Sequence, residues 1–507
     1  MIHLRGELPL ISLSDRAVRP PKEPARVNKL DEILRKQVRR PDSEPAQPQA
    51  EVAPHLSEAD VSTVLSNVRQ ALETSNEPGR APGGLPPAPR DLDDTGLQPN
   101  FIGDLILKHL YYQTEMRSID IADRIGLPYG GVTEPILDAL KADRCVEIRG
   151  GQSTMSFSWR YVLTSRGAER AKDALARSFY VGKAPVTMAD YYTMVTAQTT
   201  QVDVTAEDVR AAYRDLVVPE DLLRKIGPAV SSNKSIFMYG PPGNGKTSIA
   251  ERIFRVLSGT LCVPHAIEID SHIIKLYDPF YHLPVSTEEP DSIEARDRNL
   301  ARYDCRWNLA KRPFVVVGGE LTLETLDLIW NDSARYYEAP FQLKSNGGIL
   351  LIDDFGRQII KPQDLLNRWI VPLEKGVDYL TLHTGKKFEV PFRQLVVFST
   401  NLNPADLVDE AFLRRLRYKI EIPNPPYEVY NQIFQTACGK RGIQYDEGAV
   451  LYLMEHKYKK LGVDPRACHP RDLLDIIVDE AKYRGVPPTL TQELIEHAWA
   501  SYFVSYK

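Results

Sequence analysis

Basic residues are not in excess here: 63 Lys and Arg against 68 Asp and Glu leave a net charge of −5 over 507 residues. That balance argues against strong nonspecific attraction to nucleic acid or anionic lipid, while leaving room for a local basic patch. Cysteine is sparse. Cys145, Cys262, Cys305, Cys438 and Cys468 are scattered with no C-x-x-C spacing, so neither a zinc site nor a disulfide framework is indicated. Cys468 and His469 are neighbours, but no second ligand pair accompanies them, and both read as structural. Long apolar runs are missing, and the first residues lack the basic-then-apolar pattern of a secretion signal. A cytoplasmic protein without membrane insertion is therefore expected. What is present is 43% hydrophobic residues, enough for real cores, and length for roughly three domains.

The most specific feature is Gly240-Pro241-Pro242-Gly243-Asn244-Gly245-Lys246-Thr247, which fits the phosphate-binding pattern G-x-x-x-x-G-K-[ST]. An apolar run over 235–239 precedes it as a strand, and Ser248 opens a stretch with helical spacing. Glycines there let successive N–H groups point inward as an anion nest, and the helix N-terminus adds donors. Lys246 is expected to reach the β- and γ-phosphates of a nucleotide, and the Thr247 hydroxyl to bind Mg²⁺.

Residues 1–99 form a proline-rich arm whose composition cannot bury enough apolar surface to fold. Two pieces carry helical spacing, 28–38 and 57–72. Each suits either a transient helix in a linker or a docking helix for a partner. From 100 to 181 the chain turns globular: helices over 101–112, 118–125 and 133–142, strands over 145–149 and 157–163, and a helix over 165–177. That order resembles a winged-helix domain. Its third helix offers Glu134, Asp138 and Asp143 against Lys141 and Arg144. This is a poor face for base edges, so protein contact is favoured over DNA reading, although Arg149 and Arg160 sit on the wing. Residues 182–185 read as a hinge and 182–217 as a linker with one helix over 206–216.

Downstream, Ile349-Leu350-Leu351-Ile352 suits a strand buried on both faces of a parallel sheet, ending in Asp353-Asp354. Ligands in such sheets sit at the strands' carboxyl ends. Asp353 is then placed to hold Mg²⁺ and Asp354 to polarise an attacking water. Alone the pair would serve equally as a helix cap or surface turn; the phosphate loop upstream favours the site. A second buried strand, 395–400, ends at Asn401, which can orient water or simply form a turn ahead of Asn403-Pro404. Adjacent Arg414 and Arg415 precede a strand over 418–422; by themselves they suit a solvated face.

Taken together, residues 218–507 resemble an AAA+ ATPase. The resemblance makes 240–247 the Walker A motif, Asp353-Asp354 the Walker B and Asn401 sensor 1. Arg415, or else Arg414, becomes an arginine finger aimed at a neighbouring subunit. It divides the stretch into an α/β core with a parallel sheet, 218–424, and an α-helical lid, 425–507, with helices over 427–438, 447–458, 470–483 and 491–503. Arg471 stands at sensor 2. The Walker B of the family usually ends Asp-Glu, so Asp354 is a departure that puts the hydrolysis rate in question. A hairpin over 377–390 and the stretch 318–323 are similar to the insertions of the branch whose hairpins face the ring pore. The stretch 273–312, with Tyr277, Phe280 and Tyr281, has no counterpart. The implied function is ATP hydrolysis with Mg²⁺ in a homo-oligomeric ring such as a hexamer, remodelling a protein client in a chaperone-like way. A DNA-directed ATPase and a nucleotide-controlled scaffold with weak turnover are the alternatives.

Overall fold

The computed structural model describes residues 85–149, 156–199, 204–285, 297, 300–407 and 413–503, all within one compact unit. Most of the arm expected over 1–99, with both of its helices, lies outside the described residues, as do Ala411 and Phe412 ahead of the arginine pair.

The first described module holds helices α1 (Pro99–Gln113), α2 (Ser118–Ile125), α3 (Glu134–Ala142) and α4 (Ser165–Arg177). Between them run strands β1 (Glu115–Arg117), β2 (Val146–Ile148) and β3 (Arg160–Leu163), paired antiparallel in the order β1-β3-β2. Strand β1 is new to the sequence reading; three residues between two helices are too short to show a period of two. Thr164 caps α4, its hydroxyl accepting from the Gly167 N–H at 3.0 Å.

The chain continues through β4 (Val186–Thr187), α5 (Met188–Thr199), α6 (Ala206–Tyr213), α7 (Glu220–Ser231), β5 (Ile236–Tyr239), α8 (Lys246–Val256), β6 (Thr260–Pro264), β7 (Ala266–Ile269) and β8 (His272–Lys275). It then forms β9 (Trp307–Lys311), β10 (Phe314–Val317), β11 (Ile329–Asn331), β12 (Tyr336–Glu338), α9 (Phe341–Lys344), β13 (Ile349–Ile352) and α10 (Pro362–Lys375). Hairpin β14 (Val377–Thr381) and β15 (Lys387–Pro391), β16 (Leu395–Thr400), α11 (Pro404–Leu407) and β17 (Tyr418–Glu421) complete this part.

Its centre is a fully parallel five-stranded sheet in the order β10-β13-β16-β5-β17. The continuous apolar runs at Phe314–Val317 and Ile349–Ile352 are buried throughout, because helices and loops cover both faces and each side packs into its own apolar core. The expected α/β parallel sheet is therefore present. Helix α6 fastens to the helix after the phosphate loop, the Tyr213 hydroxyl donating to the Ile249 carbonyl at 2.8 Å.

A second five-stranded sheet, β11-β12-β8-β7-β4, takes in only the start of the unassigned 273–312 stretch, through β8, while β9 at its end pairs with β6. Its strands are short and come from separated parts of the chain, so no local period marks them. Two readings change. The 182–185 segment is not a hinge: Ala184 is fully buried, its N–H donates to Ile125 O at 2.7 Å, and β4 joins the sheet beside β7. Arg306, paired with Asp304 at 2.8 Å, donates to Thr95 O and Pro185 O and fastens this crossing from inside. The hairpin β14–β15 lies where expected, yet it does not stand free as a pore loop. Leu380, Leu382 and Val390 are buried in one core with Ile267 and Ile274 of the second sheet.

The C-terminal unit comprises α12 (Tyr427–Arg441), α13 (Glu447–Tyr452) continued by Leu453–Lys459, α14 (His469–Arg484) and α15 (Gln492–Tyr502). Tyr430, Tyr458 and His469 form a buried hydrogen-bonded chain through its core. Among the described residues no helix is long and apolar enough to cross a membrane.

Candidate phosphate-binding site

Strand β5 ends at Tyr239 and the chain turns through 240–245 into α8. Three glycines of positive φ make that turn possible, Gly245 at 79° among them. Gly240 has φ 142°, and a Cβ there would lie 2.2 Å from the Ile422 carbonyl oxygen; Gly243 has φ 82°. The loop thus lies against the exit of β17.

Lys246 is buried at the head of α8, its ammonium donating to Gly240 O at 2.8 Å and Pro241 O at 2.9 Å. Burial pulls its pKa below the usual lysine range, opposed by the nearby Asp353 and Asp354 carboxylates and reinforced by the Arg466 guanidinium. The Thr247 hydroxyl donates to Asp353 Oδ2 at 2.7 Å. Asp353 leaves β13 beside the loop because β13 is separated from β5 only by β16; its N–H is held by Val317 O at 2.9 Å.

Asp354 adopts a left-handed backbone, φ 48°, and its Oδ1 accepts from Asn401 Nδ2 at 2.8 Å. Burial first, and then the Asp353 charge, raise its pKa above the ordinary carboxylate value. The turn is locked by Phe355 N–H to Ser399 O (2.7 Å), Thr400 Oγ1 to Phe355 O (2.6 Å) and Gln358 Nε2 to Asp353 O (2.7 Å). The sheet's carboxyl end therefore gathers Lys246, Thr247, Asp353, Asp354 and Asn401 into one place.

Of the remaining candidates, the arginine pair lies apart from that cluster. Arg415 pairs with Glu374 of α10, Nε to Oε1 at 2.5 Å, and Arg414 is exposed. Both precede β17, whose first residue is level with the first residue of β5, so they stand at the opposite edge of the sheet from the loop. Arg471 pairs with Asp472 at 2.9 Å and its side chain is largely exposed.

Sequence reasoning missed Arg466 and the contact that brings it in. Cys468 N–H donates to Gly243 O at 2.8 Å and Ala467 N–H to Asn244 Oδ1 at 3.1 Å. A Cβ on Gly243 would meet Arg466 Cδ at 3.4 Å and the Cys468 sulfur at 2.7 Å. No motif marks 464–468, and its partners are more than two hundred positions away.

A family model described as a domain of unknown function (DUF8689) matches residues 426–501. No curated protein matches the chain. Among solved structures, NtrX from Brucella abortus in complex with ATP is similar at 16% identity and TM-score 0.34, covering 54% of each chain. Its ADP complex is similar at 17% identity and TM-score 0.35, covering 65% of each. The Holliday junction branch migration motor RuvB of Thermotoga maritima is similar at 13% identity and TM-score 0.32, over 60% of this chain and 71% of that one. The chain spans little more than half the length of another NtrX structure from Brucella abortus, at 58%.

Proposed function

We propose that this chain is an AAA+ ATPase that binds and hydrolyses ATP, acts as a homo-oligomeric ring such as a hexamer, and uses the cycle to remodel a protein client. The observation that carries the reading is the convergence of Lys246, Thr247, Asp353, Asp354 and Asn401 at the carboxyl end of one parallel sheet. In this reading Lys246 exchanges its two carbonyl partners for β- and γ-phosphate oxygens. The Thr247 hydroxyl and Asp353 carboxylate form an all-oxygen pair suited to Mg²⁺, which when bound would neutralise phosphate charge. Asp354 polarises the attacking water, and Asn401 fixes the orientation of that carboxylate. Arg415 belongs to a neighbour's site, because its place at the far edge of the sheet supports action in trans rather than on its own nucleotide.

Steady-state ATP hydrolysis measured against protein concentration, with Lys246→Ala as control, tests this. Activity that rises cooperatively with concentration and vanishes in the control is expected. ATP binding without turnover at any concentration would support the second reading, a nucleotide-controlled scaffold. That reading is kept in play by Asp354, whose short carboxylate is already engaged by Asn401.

A DNA-directed role is supported less well. The exposed positions of α3 include Asp138 and Lys141, with exposed Asp143 and Arg144 just past its end, and the Arg90 carbonyl lies against the Gly131 turn at the helix's start. The salt dependence of duplex binding by the full chain tests it: a slope near zero leaves the protein client as the reading.

A further inference from the structure

The Asn244 side chain of the phosphate loop reaches across to the segments that lead into and through the C-terminal unit. Asn244 is buried, at 6% exposure. Its amide works in two directions at once. Nδ2 donates to Asn424 Oδ1 at 2.8 Å, in the segment that leaves β17 for the C-terminal helices. Oδ1 accepts from the Ala467 N–H at 3.1 Å, on the turn that opens α14. Asn424 in turn donates to Asp464 Oδ2 at 3.3 Å, and Cys468 N–H completes the clasp on Gly243 O at 2.8 Å. One carboxamide thus joins three separate stretches: the loop, the connection into the C-terminal unit, and the turn bearing Arg466. A carboxamide suits that post, because it has a donor and an acceptor on one rigid plane.

We propose that Asn244 is a positioning residue that docks the C-terminal unit onto the phosphate loop and thereby holds Arg466 beside Lys246. The role rests on the ATP-binding reading for its consequence, but not for the clasp itself. With the clasp closed, Arg466 adds a second cation to the phosphate cradle. A nucleotide that moves the loop moves Asn244, and the helices that follow move with it. The loop's conformation is then transmitted to the C-terminal unit even before any phosphate touches Arg466.

The test uses the full chain and two readouts. Amide hydrogen exchange at Ala467 and Cys468 reports the clasp without nucleotide. Binding of fluorescent ATP and ADP analogues reports its consequence. Asn244→Ala is expected to speed exchange at both amides by roughly tenfold, the worth of about one buried hydrogen bond. It should also weaken ATP binding more than ADP binding, shrinking the ratio of the two affinities. Asn424→Ala, a change outside the loop that leaves the Asn244 side chain in place, should reproduce the faster exchange. The double variant should add little to either single one. Asn244→Asp, which keeps the acceptor for Ala467 and loses the donor to Asn424, should fall between. Unchanged exchange in Asn244→Ala overturns the proposal whatever the nucleotide does. If instead the wild type binds no ATP analogue while exchange behaves as expected, the clasp stands and the ATP-binding reading falls.

Discussion

Asp354 shows why a departure from a motif can be a local necessity. Its backbone sits at φ 48°, a region that Asp tolerates better than longer acidic residues because its short side chain bonds locally. The Asn401 amide, 47 positions on, fixes the carboxylate at 2.8 Å. Lengthening the side chain therefore trades reach for strain. Asp354→Glu is expected to destabilise the fold by about 1–3 kcal/mol, the scale of a strained residue, read as a lower melting temperature. Asp354→Asn keeps size and backbone and should retain nucleotide affinity while hydrolysis falls by about 10²–10⁴ fold, the typical worth of a general base. Equal hydrolysis in wild type and Asp354→Asn would remove Asp354 from the chemistry. The identities at this scale were legible before the fold was known. The phosphate loop and the Asp353-Asp354 pair are contiguous and each ends a buried apolar strand, so chemistry and local structure point the same way. Arg466 was not legible, because an arginine in an unpatterned turn gains meaning only from a loop far away in sequence.

Among elements, the joints held by buried polar groups are the vulnerable ones. His282 is 1% exposed, its Nδ1 accepting from Asp278 N–H at 3.0 Å and its Nε2 placed to donate to Lys344 O at 2.8 Å. Both ring nitrogens are used by the neutral form, and burial lowers its pKa to about 4. The unfolded chain, with an ordinary histidine near 6.5, binds the proton more readily. Stability is therefore full above about pH 6.5 and declines as pH falls toward 4, by up to ~3 kcal/mol for this one residue. Urea midpoints measured from pH 7.5 to 4.5 should follow that decline, and His282→Gln should be less stable at pH 7.5 yet shallower in slope. A parallel slope would mean that His282 is not the titrating group. At the crossing between module and core, Arg306→Ala should cost about 3–5 kcal/mol, since it strands the buried Asp304 carboxylate. Loss of only a few tenths in a denaturation experiment would show the crossing to be held by apolar packing alone. Elements of this size were unevenly readable. Most helices of ten or more residues declared their period, but those over 188–199 and 220–231 went unread, and β1, β4 and β11 are too short to show one.

For the whole molecule, the position of Arg415 makes the sharpest demand. If it serves a neighbour's nucleotide, Arg415→Ala should slow hydrolysis with ATP affinity largely unchanged. Mixing Lys246→Ala with Arg415→Ala should then restore part of the activity that each lacks alone. In a mixed ring, an intact phosphate loop from one variant meets an intact arginine from the other. No recovery on mixing, with mixed assembly verified, would return Arg415 to a structural role with Glu374.

The shared core between the first module and the second sheet has a consequence for heredity and for the bench alike. Ile102, Ile119 and Tyr161 from the module pack in one cluster with Ala266, Ile273 and Leu300 from far along the chain. A cut placed where composition changes, near 182, would leave two raw apolar faces rather than two domains. The module is thus not a detachable cassette. Protease nicks near 182 should leave the two fragments travelling together. A chimera carrying 100–181 alone should fail to fold, whereas one that also carries its seat on the second sheet should succeed.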